Sequence, residues 1–343
     1  MNVSCLRNAA AIAALALSAS TLFAAGPSVR TERTGILKGR STVALGAFRV
    51  IFVTEDSIAS TSTNNFGGGL GGRATTEQDA ALVGLEQPLM QKLTDSIYAD
   101  FLDKMQTKGY TVLDSQKLAT AAPAYKALDM TDNFESGRWG TYVVPTGQMS
   151  ISLAADESKA VGRGSKGGVF SGFKAQGQKT KKGEADKVLP EVSKSANAPV
   201  LGVTVVVSFA QFRGSGYSHW GQSAKTKIQT GATINGTESR GPMVTGIQAW
   251  EAEMYHNCSV ACPLSTLSME GDIHDENAIG ELAKYDAKTK GDKQTNAIGI
   301  LTGDSVKHKG YVVQLDAAAY EKNVLTVSGQ ANELLVASLV KEK

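Results

Sequence analysis

The chain has 343 residues, 42% hydrophobic and 20% charged, with a formal net charge of +2. This is the balance of a globular protein, not a disordered one, and it supplies no global field that would recruit nucleic acid. Aromatic residues are sparse at 6% while glycine occupies 36 positions, which favours strands joined by tight turns over a bundle of long helices.

The amino terminus carries one cation, Arg7, then the small apolar run Ala9 to Phe23, then Ala24-Ala25-Gly26-Pro27. That order is a secretory signal peptide, so residues 1–25 are expected to be removed on export. The apolar run, about fifteen residues, falls short of the roughly 20 that a spanning helix needs. Cys5 lies inside the leader and no cysteine follows the apolar run until Cys258, so no lipid anchor is expected. The exported chain is assigned to the periplasm or the extracellular medium.

Ser41 to Asp56 (STVALGAFRVIFVTED) is β-branched and aromatic and predicts a strand with a buried middle. Ser57 to Thr76 is nearly all Ser, Thr, Asn and Gly and reads as loop. It includes FGGGLGG, where Gly67, Gly69 and Gly72 match the pattern of a nucleotide-cradling loop. Such a loop works only when its glycines join a strand's end directly to a helix's first turn. Here strand and helix are both distant, and the pattern recurs at Gly162, Gly164 and Gly167, so the stretch reads as the tip of an insertion and no cofactor is expected. Next, Leu89, Leu93, Ile97, Phe101 and Met105 recur every four residues and predict an amphipathic helix from Pro88 to Lys108, closed by Gly109. A short strand, Tyr110 to Leu113, and a second helix opening near Ser115 follow.

Tyr142 to Ala154 is a candidate strand pair. Residues 156–197 collect lysine among Gly and Ser and read as a solvated linker, in which Lys179, Lys181 and Lys182 offer a weak contact for an anionic surface. Ala198 to Gly214 is the most β-prone run of the chain. Lys225 to Ile234 and Met243 to Met254 alternate like antiparallel strands around the turn signal Asn235-Gly236. A helix from Glu276 to Asp286, a strand from Tyr311 to Leu315 and a closing pair of apolar runs, Val324 to Val327 and Leu334 to Leu339, complete the chain. The fold class expected is α+β: a mixed or mainly antiparallel sheet covered by amphipathic helices, with a strand-helix-strand core. Residues 26–155 form an N-terminal α/β segment, and the strand-rich residues 198–343 are expected to share one sheet with it.

The leader, VALGAFRVIF, LMQKLTDSIYADFLDKM, GYTVLD and APVLGVTVVVSFAQF occur in an order that resembles the curli-secretion-channel family of envelope proteins. The resemblance covers about half the chain and implies a periplasmic strand-helix-strand core. Members are typically lipoproteins, whereas this leader is followed by no lipid-attachment cysteine, and the strand after Ala198 runs into Arg213 and a polar segment. Fold class and compartment are therefore implied, and a pore is not.

Chemistry-bearing residues are few. Cys258 and Cys262 are the cysteines left after the leader, and in an oxidising compartment they are expected to form a disulfide. Free thiols and a Cys2His2 metal site with His256 and His274 are the alternatives. Neither G-x-S-x-G nor H-E-x-x-H occurs. Asp272, His274, Asp275 and Glu276 in GDIHDEN have the chemistry to hold a divalent cation or relay a proton, yet a polar run entering a helix more often supplies caps and solvated charge. Tyr217, His219 and Trp220 in GSGYSHWG lie on an expected turn, either as a partner contact or with their rings folded onto the core. The reading that results is an exported bacterial envelope protein that works by protein binding or self-association. The alternative is a periplasmic ligand-binding or hydrolytic protein with a site near Asp272, His274 and Tyr217.

Overall fold

The computed structural model describes residues 26–63, 73–129, 134–137, 140–151, 184–217, 223–237, 244–252, 265–285 and 305–342. In chain order the strands are β1 (Val29–Glu32), β2 (Thr42–Phe52), β3 (Glu55–Thr63), β4 (Arg73–Val83), β5 (Thr111–Leu113), β6 (Phe134–Gly137) and β7 (Gly140–Val143). They continue as β8 (Val200–Tyr217), β9 (Ser223–Ile234), β10 (Gly246–Trp250), β11 (Ser265–Met269), β12 (Ile273–His274), β13 (Gly280–Tyr285) and β14 (Ser305–Leu315). The helices are α1 (Gln87–Thr107), α2 (Ser115–Ala121), α3 (Pro123–Lys126), α4 (Glu184–Ala196) and α5 (Ala317–Glu342). The fold is α+β, with mixed sheets that are mostly antiparallel.

Two strands from opposite halves of the chain make the centre. β2 and β8 lie parallel, from Ala44 opposite Val200 to Phe52 opposite Val207. β10, β11 and β1 extend the sheet beyond β8, and β7 and β6 extend it beyond β2. Ten of the eleven residues of β2 are buried, because both faces of the sheet are covered and a strand so placed reads as a continuous apolar run. One face receives Met90, Leu93, Ile97, Phe101 and Met105 of α1 and Tyr320, Val324, Val327, Ala331, Leu335 and Leu339 of α5. The other receives Leu118, Tyr125, Leu189 and Val192 from α2, α3 and α4, packed on Ala44, Ala47, Val200 and Trp250. Each fully buried side chain of this kind contributes about 1.5–3 kcal/mol.

Local chemistry starts and stops these elements. Pro88 stands in the first turn of α1, where its missing N–H costs nothing. At the far end Gly109 adopts φ 80°. Its N–H donates to the Gln106 carbonyl at 2.9 Å while Tyr110 N–H donates to the Met105 carbonyl at 3.0 Å, which satisfies two carbonyls the helix would leave open. Asp114 caps α2 by accepting from Lys117 N–H at 2.9 Å. Asp316 does the same for α5, accepting from Ala318 and Ala319 N–H.

Four expectations from the sequence are corrected. The closing runs Val324 to Val327 and Leu334 to Leu339 belong to the single helix α5, whose buried residues recur every three to four positions. The helix expected at Glu276 to Asp286 is instead strand β13 over Gly280–Tyr285, hydrogen-bonded along its whole length to β14. Much of the loop expected at Ser57 to Thr76 is the hairpin β3–β4, nine residue pairs from Glu55 opposite Ala81 to Thr63 opposite Arg73. Lastly, the linker expected over 156–197 ends in α4, which buries Ala185, Leu189 and Val192. Of the candidate pair Tyr142 to Ala154, β7 accounts for the beginning; a turn then leads to Met149 and Ile151, buried under the α2–α4 layer.

Beyond Val207 strand β8 leaves β2 and continues paired with β9 as far as Tyr217 opposite Ser223. A second sheet, in the order β13-β14-β4-β3, lies over this extension, with β3 and β4 against β8 and β9. Two antiparallel hairpins make the second sheet, joined at their middle by the parallel pair β14–β4. Its inner face buries Ile58, Ser60, Thr76, Gln78, Ala80, Leu82 and Val313.

Candidate functional site

The residues singled out in GDIHDEN fall where β12 meets the base of β9. His274 pairs with Thr233 in register, and its Nδ1 shares a hydrogen bond of 2.7 Å with Thr233 Oγ1. Asp272 accepts from the backbone N–H of Gly236 at 2.8 Å, and Asp275 accepts from Asn277 N–H at 3.0 Å and Asn277 Nδ2 at 2.6 Å. Both carboxylates thus satisfy backbone and side-chain donors of the turns around them. The backbone is in close approach here: a Cβ on Gly231, which has φ 152°, would lie 2.0 Å from the Asp275 carbonyl oxygen. Thr233 is 1% exposed, so its hydroxyl is held inside the junction, away from any substrate. Among the described residues no group of three His, Cys, Asp or Glu side chains is arranged to hold a metal ion.

Tyr217 is not near this corner. It ends β8 opposite Ser223, ten positions from Thr233 along β9. At about 3.3 Å per residue that separation is roughly 30 Å. The structure brings Asp272 and His274 together and leaves Tyr217 at the far end of a hairpin. His219 and Trp220, Cys258 and Cys262, His256, Lys179, Lys181, Lys182 and the stretch Phe66 to Gly72 lie outside the described residues.

A different region has the features of a contact surface. The second sheet has β3 as its outer strand on one side and β13 on the other. Glu55, Ser57, Ala59 and Thr61 of β3 are exposed, alternating with buried Ile58 and Ser60. Outer strands offer main-chain groups to another strand, and natural proteins guard them when no pairing is wanted; on β3 Ala59 already has a partner, which leaves β13 as the more open of the two. Asp56 lies at the start of β3, and burial pushes its carboxyl up to about 6 despite the hydrogen bond it accepts from Ser57 N–H. Leu282 on β13 is 42% exposed, one of three large apolar side chains exposed among the described residues.

One buried cation also escaped the sequence reading. Arg49, 6% exposed within β2, donates through Nε to Thr204 Oγ1 at 3.2 Å and lies 5.6 Å from the centre of the Tyr142 ring. Its signal was a lone arginine inside an otherwise apolar strand, and its planar head stacks where a lysine would not. No described helix is long and apolar enough to cross a membrane. Compared with known protein families, with characterised proteins and with solved structures, the chain matches none.

Proposed function

We propose that the protein is an exported component of the bacterial cell envelope that works by assembly, through self-association or by binding another envelope protein. The observation that carries this reading is the second sheet, whose outer strand β13 is hydrogen-bonded to one neighbour, β14, among the described residues. A strand edge of this kind recognises a partner strand through main-chain hydrogen bonds, with alternate side chains supplying specificity. Export is supported by the leader-like order of residues 1–25 and by the resemblance to the curli-secretion-channel family. The corner around His274 gives less support to the hydrolytic alternative, since its carboxylates are engaged by the turn and Thr233 is enclosed.

Light scattering coupled to size exclusion on the chain from Gly26 onward, followed by affinity capture from envelope extract, tests the reading. A mass above the monomer or a specifically captured envelope protein is expected. A monomer at every concentration that captures nothing rejects it. Replacing His274 and Asp275 with alanine is expected to leave assembly unchanged; a bound metal or hydrolytic activity that disappears in this variant favours the alternative.

A further inference from the structure

We infer that a second copy of this chain pairs with β13 edge to edge, antiparallel and centred on Leu282; the inference rests on the assembly reading above. Leu82 of β4, Val313 of β14 and Leu282 of β13 are opposite one another in register, forming one apolar row across the inner face of the sheet. Exposure along that row is 6%, 0% and 42%, so a row that is dry at β4 and β14 ends at the sheet's edge on an exposed leucine. A strand added beside β13 would complete it.

The sequence of β13 selects a copy of itself and a register. A twofold axis normal to the sheet keeps each face on its own side, so it must lie midway between the two copies of one residue of β13, on which the pairing is then centred. Centred on Glu281, it would set two carboxylates opposite each other. Centred on Ala283, it would set Leu282 against the partner's Lys284 and interrupt the apolar row. Centred on Leu282, it places Leu282 against the partner's Leu282, Glu281 against the partner's Ala283 and Gly280 against the partner's Lys284. No like charges then oppose, and the row runs from Leu82 through both leucines to the partner's Leu82. The strand β3 is a weaker site: its apolar residue Ile58 is 2% exposed and already covered. Val83 and Val340, the other exposed large apolar residues among those described, lie at the end of β4 and near the end of α5.

The test uses the chain from Gly26 onward in a Cys258→Ser/Cys262→Ser background that first matches the native chain in sedimentation. Leu282→Cys is expected to form a disulfide-linked dimer under mild oxidation, since directly opposed residues have Cβ atoms about 4.5–5.5 Å apart. Lys284→Cys is expected not to, because its copies would be offset by four residues, roughly 13 Å along the strands. Leu282→Lys, exposed and therefore tolerated by the fold, is expected to weaken dimerisation at least tenfold by sedimentation equilibrium with an unchanged circular dichroism spectrum. Dimerisation that survives Leu282→Lys, or cross-linking through Lys284→Cys and not through Leu282→Cys, overturns this edge while leaving assembly by another surface standing. A native chain that stays monomeric yet captures an envelope protein also overturns it and leaves the assembly reading intact. A monomer that captures nothing rejects both.

Discussion

The central sheet and the hairpin layer are built from the same kind of strand and filled with different material. Around β2 and β8 the interior is Val43, Val50, Phe52, Val203, Val205, Val207 and Phe209, closed by the helices. Between the second sheet and the β8–β9 extension it includes Ser60, Thr76 and Gln78, each buried, with Asp56 at the edge. Among the described residues Gln78 Oε1 and Thr226 Oγ1 are buried with no hydrogen-bond partner; Thr94 Oγ1 and Tyr320 Oη are so too, but in a core that buries Leu93, Phe101, Val324 and Leu335. Main-chain pairing builds both regions. Side-chain burial stabilises the first, whereas in the second the buried polar groups among Ile58, Ala80, Leu82 and Val313 carry a desolvation cost that the ladder and the apolar contacts must offset. The difference teaches that shape and cohesion have separate causes here.

Substitutions should therefore have opposite signs in the two regions. The largest effect is expected in the helix-clad part: Phe101→Ala, which empties a site 0% exposed, should cost about 3–5 kcal/mol in urea unfolding. A cost below about 1 kcal/mol would mean that this core is no better packed than the hairpin layer. Asp56→Asn should act the other way. Because burial raises the folded pKa of Asp56 from 3.8 to about 6, its protonated form stabilises the fold below pH 3.8, and that contribution is lost as pH rises through 6. At pH 7.5 the asparagine variant should be more stable by about 1–3 kcal/mol, and at pH 4 the two should converge. Equal stability of the two proteins at pH 7.5 would show that the carboxylate keeps its water. Thr226→Val, which removes a hydroxyl that has no partner, should stabilise by about 1 kcal/mol by differential calorimetry, where a threonine with a satisfied hydroxyl would lose stability. The smallest effect is expected back among the helices: Asp114→Ala should cost about 0.5–1 kcal/mol through the lost cap of α2. A gain there would break the rule of sign.

Legibility from sequence follows the same division. The helix α1 was readable to within a residue at each end, because its apolar spacing, Pro88 and Gly109 all point to one answer. β2 and β8 were readable as continuous apolar runs and β9 by its alternation. The β3–β4 hairpin was not, since its inner face mixes Ser60, Thr76 and Gln78 with Ile58, Ala80 and Leu82 and so contrasts little with its polar outer face. α5 was missed for a different reason: its valines carry β preference, although its buried residues recur every three to four positions, the spacing of a helix that packs on α1 and β9. At the site, the link between Asp272 and His274 was visible from adjacency, while the distance to Tyr217 depended on β9 running as one strand past the irregularity at Thr230 to Thr233. Leu282 could not be found from sequence, because its neighbour Val313 lies across a strand pair whose register no local pattern encodes.

The parallel seam between β4 and β14 also governs the order in which this molecule can be made. Its partners run from Ala74 opposite Ser305 to Val83 opposite Gln314, so the two strands meet only when nearly the whole chain is present. A chain that emerges from synthesis amino terminus first displays the β3–β4 hairpin long before β14, its third strand, exists. Loop closure over such a span is slow, and until it happens β4 offers the edge that β14 will occupy. The dangerous interval for this protein is therefore its own maturation: a holdase that masks β4 should raise its yield, and refolding from denaturant should be slower and more prone to aggregate than its helix content suggests.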